Sequence, residues 1–526
     1  MSEVLDELGP TGLVFTVGDQ PLTIPALVGL ATGELRPALG AEARDRMKRS
    51  ADLVATLHDR GEDIYGVTTS VGGSVGTSVP PSHSANLSLN VLRMHGVGSG
   101  RILDDVEAGA VVAARLSSLA RGQSGVRPEV ADLLIDLLDA RALPRIPSEG
   151  SVGASGDLTP LSYVAAVLVG EREVSFRGEE IDARSALRAI GRAPLKLRPK
   201  EGLALMNGTS VSTALACLSW HRARRLARLA ASLTAMTSVA IRGNAEHFDD
   251  RLQAAKPHPG QRRVAHWIRE DMAGGTPSVE TPARLQDRYS VRCAPHVIGV
   301  LEDALDWTRA TLETELNGVS DNPIVDLESG NILHGGNFYG GHVGFACDAL
   351  KLAVANVACL LDRQIMLLCN PAENAGLPAD LVGVAEPVAC AHNGFKAASI
   401  AASSLAAEAL KQTMPASAFS RSTELHNQDK VPMATIAARD LTRVLELSEQ
   451  VAAISLLAAC QAQDLRGISV TGRIAGLRQR VRSVVPMLRE DRRMDRDLAA
   501  VLELLRKDEL FPGTEIGEEP LGVTRA

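Results

Sequence analysis

The chain has 526 residues, 45% of them apolar, enough for a large buried core and for three or four folding units or one long helical assembly. Charged residues make up 22% and the net charge is -8, with both signs interspersed, so no basic footprint for nucleic acid is present. The acidic start MSEVLDELGPTG carries no apolar signal-peptide core, and no apolar run reaches the roughly 18 residues of a membrane span, which points to a soluble cytoplasmic protein with no membrane partner. Seven cysteines, scattered through apolar sequence without a CxxC pair, read as free thiols in a reducing compartment. Aromatic residues are only 3% and Ala, Leu and Val dominate, a composition that favours closely packed helices and a mainly α fold.

In chain order, residues 13–24 (LVFTVGDQPLTI) alternate apolar residues around Gly-Asp and predict a short hairpin. Helical periodicity covers 40–60, 104–121 and 128–142. Between the first two lies IYGVTTSVGGSVGTSVP (64–80), a Gly/Ser/Thr-rich loop of a length that is usually functional. The small-residue stretch EGSVGASGDLTPLSYVAA (149–166) breaks the helical pattern, and a second hairpin is expected near 172–182. From about 200 onward, long apolar periodic segments run through 209–240, 295–317, 341–368, 394–414 and 434–464, which predicts a bundle of long helices. Residues 470–526 read as a small helical cap, and the Arg-rich part of it, 473–506, reads as a solvated helix face.

The chain has no GxxxxGK[ST] loop, no HExxH and no histidine pair at metal-ligand spacing, so nothing asks for a nucleotide or a metal. Within GSVGASGD, Ala154-Ser155-Gly156 admits two readings. One is a tight turn before the helix that Asp157 and Thr159-Pro160 open. The other uses the smallness of Gly156, whose backbone nitrogen can approach the Ala154 carbonyl carbon while Ser155 loses its hydroxyl as water. Cyclisation with two dehydrations then gives a 4-methylidene-imidazol-5-one, an electrophile made from the backbone.

GSVGASGDLTPLSYVAAVLVGE resembles the cofactor-forming segment of the aromatic amino-acid ammonia-lyase and 2,3-aminomutase family, which includes histidine, phenylalanine and tyrosine ammonia-lyases. Six further blocks follow the family in order: IYGVTTSVGG (64–73), LALMNGTSV (203–211), QDRYSVRCAP (286–295), ELNGVSDNPIVD (315–326), LHGGNFYGGHVG (333–344) and ELHNQDKV (424–431). The resemblance covers about residues 15–470. It implies the long-helix bundle of the fumarase/aspartase superfamily and a homotetramer with sites shared between chains. Three regions are then expected: 1–200, a mixed N-terminal domain with the cofactor-forming loop and a tyrosine lid loop; 201–470, the central long-helix bundle; and 471–526, the C-terminal helical cap.

The chemical problem is a β-proton that is hardly acidic and an amine that leaves poorly. An electrophile that takes up the amine eases its departure, and a base must reach the β-carbon. The resemblance makes Tyr65 that base, on a loop able to act as a lid, and places Tyr289 beside the cofactor and the leaving ammonia. It gives Asn207 the ring carbonyl oxygen, Phe338 the packing near the ring, and Gln428 the closing of the site from another segment. Arg292 is the candidate for the substrate carboxylate, since a guanidinium fork matches a carboxylate in two parallel bonds; Asn322 resembles the second carboxylate contact.

Met94-His95 falls where the family selects the substrate side chain, and His95 leans toward a phenol or an imidazole. Gln428 stands where histidine-specific members usually carry a glutamate, which disfavours histidine. Lys396 and Ile400 look like phenylalanine lyases, whereas Ser399 and Gly341 depart from the family. The expected substrate is therefore L-phenylalanine or L-tyrosine, released as cinnamate or coumarate. The loop TTSVGGSV also resembles bacterial aminomutases at Ser70 and Gly73, so a 2,3-aminomutase is the first alternative. Histidine ammonia-lyase and a non-catalytic helical oligomer follow.

Overall fold

The structure is a computed structural model that describes residues 12–274, 282–511 and 524–525. Five long helices carry it: Ser210–Ala240, Ala294–Asn317, Gly341–Cys369, Lys396–Lys411 and Ala434–Arg466. All five expected segments are present, and the helices pack on one another as a bundle, with Pro259–Ala273 laid against Ser210–Ala240 and Ala294–Asn317. Their limits follow local chemistry. Pro295 sits in the first turn of its helix, where its missing N–H costs nothing. Ala434–Arg466 ends at Gly467, whose left-handed φ of 63° turns its N–H back onto the carbonyls of Asp464 and Gln463.

Every residue from Leu226 to Ala240 is buried, so this part of the Ser210–Ala240 helix lies at the centre of the bundle. Gly341–Cys369 and Ala434–Arg466 are long and apolar enough to cross a membrane by length and composition, contrary to the run-length expectation. In the fold, however, 72% and 89% of their apolar windows are buried against protein. One continuous apolar core runs from Phe15 to Phe511.

The N-terminal hairpin does not form. Leu13–Val17 pairs in parallel with Arg36–Leu39, and the helix Ile24–Thr32 crosses between them. Thr23 starts that helix by accepting the Ala26 N–H, a stronger local signal than strand alternation over 13–24. The chain end, Thr524–Arg525, pairs antiparallel along the other edge of Leu13–Val17. The hairpin near 172–182 does form, from Glu173–Phe176 and Glu179–Asp182. Its turn residues Arg177 and Gly178 have φ of 54° and 82°, as a two-residue connection between twisted strands demands.

The cap consists of Gly472–Val484 and Asp495–Arg506 among the described residues; the rest of the expected cap, 512–523 and 526, lies outside them. Its arginines do more than face solvent. Arg473 meets Asp271 at 3.2 Å, and Arg478 and Arg482 meet Asp464 at 2.5 and 2.7 Å, so the helix is fastened to the bundle by charge as well as by Leu477 and Val481.

Candidate active site

The strand Pro147–Glu149, paired with Ser99–Ile102, delivers the chain into the small-residue stretch, and the helix Leu158–Leu168 takes it away. Between them the backbone turns sharply, with φ of 79° at Gly153, 54° at Ser155 and 77° at Gly156. Gly156 lies against Gly208. A Cβ on Gly156 would stand 2.2 Å from the Gly208 carbonyl oxygen, and one on Gly208 would stand 2.2 Å from Arg115 Nη1. Two bare backbones are therefore pressed together with a guanidinium behind them, an approach only glycine permits.

Asp157, fully buried, locks this stretch to two helix starts. Its Oδ2 accepts the N–H groups of Val211 and Ser212 (2.9 and 2.8 Å), and its Oδ1 accepts the Thr435 hydroxyl at 2.5 Å. Burial raises its pKa, and the bonds from Thr435 and Ser212 oppose that shift by favouring the carboxylate. Its own N–H donates to the Gly208 carbonyl at 2.7 Å.

Around Ser155 the fold gathers residues from distant segments. Asn207 Nδ2 donates to the Ser155 carbonyl oxygen at 2.8 Å, and Gln428 Nε2 reaches the Ser155 hydroxyl at 3.5 Å. Gln428 is held in turn by the Thr423 hydroxyl, which donates to its Oε1 at 2.7 Å. Tyr65 is in the same cavity, its Oη accepting the Gly72 N–H at 2.7 Å. Burial raises the Tyr65 pKa and the charge of Glu424 adds to the rise, while the Gly72 N–H works against both.

The loop carrying Tyr65 is internally bonded. Ser70 N–H donates to Thr77 O and Val79 N–H to Thr68 O, both at 2.8 Å, so the tip around the short 3-10 turn Gly72–Ser74 is a narrow, hairpin-like flap. Both carboxylate oxygens of Glu424 accept the Gly73 N–H, at 2.9 and 2.8 Å.

The cavity measures about 660 Å³, the size of a small-molecule site, and is also lined by Met94, His95, Ala154, Asn322 and Phe338. His95 Nδ1 lies 2.7 Å from the Val91 carbonyl. A carbonyl only accepts, so Nδ1 carries the hydrogen, and in the neutral form of the ring Nε2 is the acceptor. Asn322 Oδ1 accepts the Gly335 N–H at 2.7 Å and so ties down the loop that bears Phe338.

A profile of the aromatic amino acid lyase family matches residues 22–484. The chain belongs to that family. It is 38% identical over 514 residues to a histidine ammonia-lyase of Sorangium cellulosum, covering 95% of this chain and 99% of that one. Among solved structures, tyrosine aminomutase from Streptomyces globisporus superposes with a TM-score of 0.88 at 34% identity, over 94% of this chain and 98% of the other. Phenylalanine aminomutase of Pantoea agglomerans gives 0.88 at 30% identity, again over 94% and 98%. This chain is thus an enzyme of the ammonia-lyase and aminomutase type, with the helical fold of that group.

For this aromatic amino acid lyase, a single chain brings together Tyr65, Met94, His95, Ala154, Ser155, Gly156, Asn207, Asn322, Phe338 and Gln428. It does not bring Tyr289, Arg292, Lys396 or Ile400 to the same cavity. Tyr289 is 72% exposed with the Arg292 guanidinium stacked 4.7 Å from its ring, and Ile400 is 67% exposed. Lys396 Nζ binds Asn393 Oδ1 at 2.8 Å. Three residues with a part in the site were not among the site residues expected from sequence: Arg115, Glu424 and Asp157, the last read only as opening a helix. Asp157 directly follows the small-residue triplet and Glu424 opens the block that contains Gln428, so both lay within recognised motifs; Arg115 sits in an apolar helix with nothing local to mark it.

Proposed function

We propose that this enzyme removes ammonia from L-tyrosine or L-phenylalanine to give the arylacrylate, through a 4-methylidene-imidazol-5-one formed from Ala154, Ser155 and Gly156. The observation that carries the reading is one cavity with Ser155 held by Asn207 and Gln428 and with His95 also on its wall. A phenol hydroxyl is the donor His95 Nε2 lacks, which favours tyrosine of the two. Gln428 offers a neutral amide where an imidazole substrate would be better matched by a carboxylate, and this ranks histidine third.

The residues present fit the ring. Gly156 and Gly208 leave room for no side chain, Asn207 Nδ2 already points at the oxygen that becomes the ring carbonyl, and buried Asn207 Oδ1 has no partner among the described residues. The chemistry supplied there is electrophilic activation of the substrate amine. Asn207 stabilises charge on the Ser155 carbonyl oxygen. Tyr65 takes the β-proton, and the Gly72 N–H on its oxygen steadies the phenolate needed for that transfer. Asn322 Nδ2 serves the substrate carboxylate, its Oδ1 being engaged by Gly335.

We assign Tyr289, Arg292, Lys396 and Ile400 to the cavities of neighbouring subunits in a homotetramer. Phe345, Leu352, Cys359 and Met366 recur every seven residues along Gly341–Cys369, and Phe345, Leu352 and Met366 are exposed in the single chain. That spacing is the seam by which one long helix packs on another. The free thiols, four of them buried, suit the cytoplasm, where we place the enzyme.

A second reading, 2,3-aminomutase, is favoured by the Glu424 contacts to Gly73. A flap held shut keeps the arylacrylate in place for ammonia to return at the β-carbon. The test is to incubate the purified enzyme with tyrosine, phenylalanine and histidine separately, following arylacrylate absorbance and β-amino acid formation. Tyrosine or phenylalanine giving arylacrylate alone supports the lyase, and a persistent β-amino acid supports the mutase. Turnover of histidine only would overturn the substrate assignment.

A further inference from the structure

Arg115 belongs to the helix Asp105–Ala120 and has no measurable exposure. Among the described residues its guanidinium makes no close ion pair. It donates instead to three backbone carbonyls from two segments: Ala204 O at 2.6 Å from Nη2, and Ser320 O at 3.1 Å and Asn207 O at 3.3 Å from Nη1. Ala204 and Asn207 lie at the C-terminal end of the helix Glu201–Met206, where carbonyls lack partners and the helix dipole favours a cation. Burial lowers the Arg115 pKa to about 10, with Asp321 and Asp157 as the carboxylates that oppose the shift, so the group stays charged at neutral pH. Burying a charge of this kind is costly, and the three carbonyl bonds offset part of that cost.

That position is directly behind the cofactor-forming loop. The 207–208 segment grips the loop at two points: Asn207 Nδ2 on the Ser155 carbonyl (2.8 Å) and Gly208 O on the Asp157 N–H (2.7 Å). Arg115 backs the same segment, with Nη1 where a Gly208 side chain would have to go. The layers run guanidinium, Gly208, Gly156. Lysine is a poor replacement, because its single nitrogen cannot stand at both Nη2, which serves Ala204 O, and Nη1, which serves Ser320 O and Asn207 O.

We infer that Arg115 is a positioning residue for cofactor formation: it fixes the Asn207-Gly208 segment as the rigid backing against which Ala154-Ser155-Gly156 closes into its ring. This rests on the ring chemistry proposed above. Closure forms a bond from Gly156 N to the Ala154 carbonyl carbon; that oxygen leaves as water with the Gly156 and Ser155 amide protons. The Ser155 hydroxyl leaves as a second water with the Ser155 α-proton. No oxidant or reductant is required. Such a closure depends on holding the reacting atoms in a near-attack arrangement, which a receding 207–208 segment would lose.

The test compares wild-type enzyme with Arg115→Lys, with Gly208→Ala, which keeps the arginine but puts a methyl where its Nη1 stands and so pushes the layers apart, and with Arg228→Lys as a control. Arg228 is equally buried but pairs with Asp271, away from the loop. Only the soluble, helical fraction is analysed, by intact mass for the loss of two waters, as a time course after rapid purification. We expect closure at least about tenfold slower in Arg115→Lys and in Gly208→Ala, and at the wild-type rate in Arg228→Lys. Folded Arg115→Lys or folded Gly208→Ala closing at the wild-type rate overturns the inference. Slow closure in Arg228→Lys as well would show a general effect of stability and overturn it too. If wild-type chains carry no two-water loss, the ring proposal itself fails, a result distinct from either.

Discussion

Replacing Gly156 by alanine separates close backbone packing from simple turn strain. Gly156 has φ of 77° and Gly191 has φ of 75°, so alanine meets the same left-handed penalty at both, about 1–2 kcal/mol. Nothing lies within 4 Å of a Cβ built on Gly191, whereas one built on Gly156 falls 2.2, 2.3 and 2.6 Å from the O, C and N of Gly208. Those atoms belong to a backbone fixed from behind by Arg115 and cannot swing aside as a side chain would. Overpacking of this kind costs about 1–3 kcal/mol. Loss of the Asp157 N–H bond to Gly208 adds about 1 kcal/mol. Gly156→Ala is therefore expected to be about 2–4 kcal/mol less stable than Gly191→Ala. Urea denaturation of both variants at one protein concentration, followed by far-ultraviolet circular dichroism, measures the difference. Agreement of the two variants to within about 1 kcal/mol would refute the claim that Gly156 is there for close approach.

Ser155→Ala should fold with near wild-type stability yet show no turnover, and its intact mass should equal that of the open chain; normal activity would remove the electrophile from the mechanism. His95→Phe should lose the acceptor for a phenol and shift kcat/KM from tyrosine toward phenylalanine by about 1–3 kcal/mol, one to two orders of magnitude in the ratio, measured by arylacrylate absorbance with each substrate. Tyr65 must be deprotonated to act as base, and its pKa is raised by burial and by Glu424, so kcat/KM should fall as pH drops through an alkaline-shifted limb. Glu424→Gln removes the charge that adds to the rise, and the limb should move to lower pH; an unchanged or higher limb argues against Tyr65 as the titrating group. Glu424→Ala should speed amide hydrogen exchange at Gly72–Ser74 by up to about tenfold by freeing the Gly73 N–H, and exchange at the wild-type rate would show that Glu424 does not hold the flap.

The sequence by itself determined what is local. The long helical segments between 209 and 464 followed from apolar spacing, and the hairpin near 172–182 was expected and forms. The blocks containing Tyr65, Ser155, Asn207, Asn322, Phe338 and Gln428 could be ordered by resemblance without knowing that they meet. What only the tertiary structure decided is which backbones touch. The parallel partner of Leu13–Val17 lies beyond an intervening helix, where alternation in 13–24 carries no information. Nothing in the sequence sets Gly208 against Gly156, and Arg115 reads as one charge in an apolar helix until three carbonyls close on it. Local pattern reports how a segment can fold, whereas close approach and buried-charge satisfaction depend on segments far apart in the chain, 205 residues for Arg115 and Ser320 and 278 for Asp157 and Thr435.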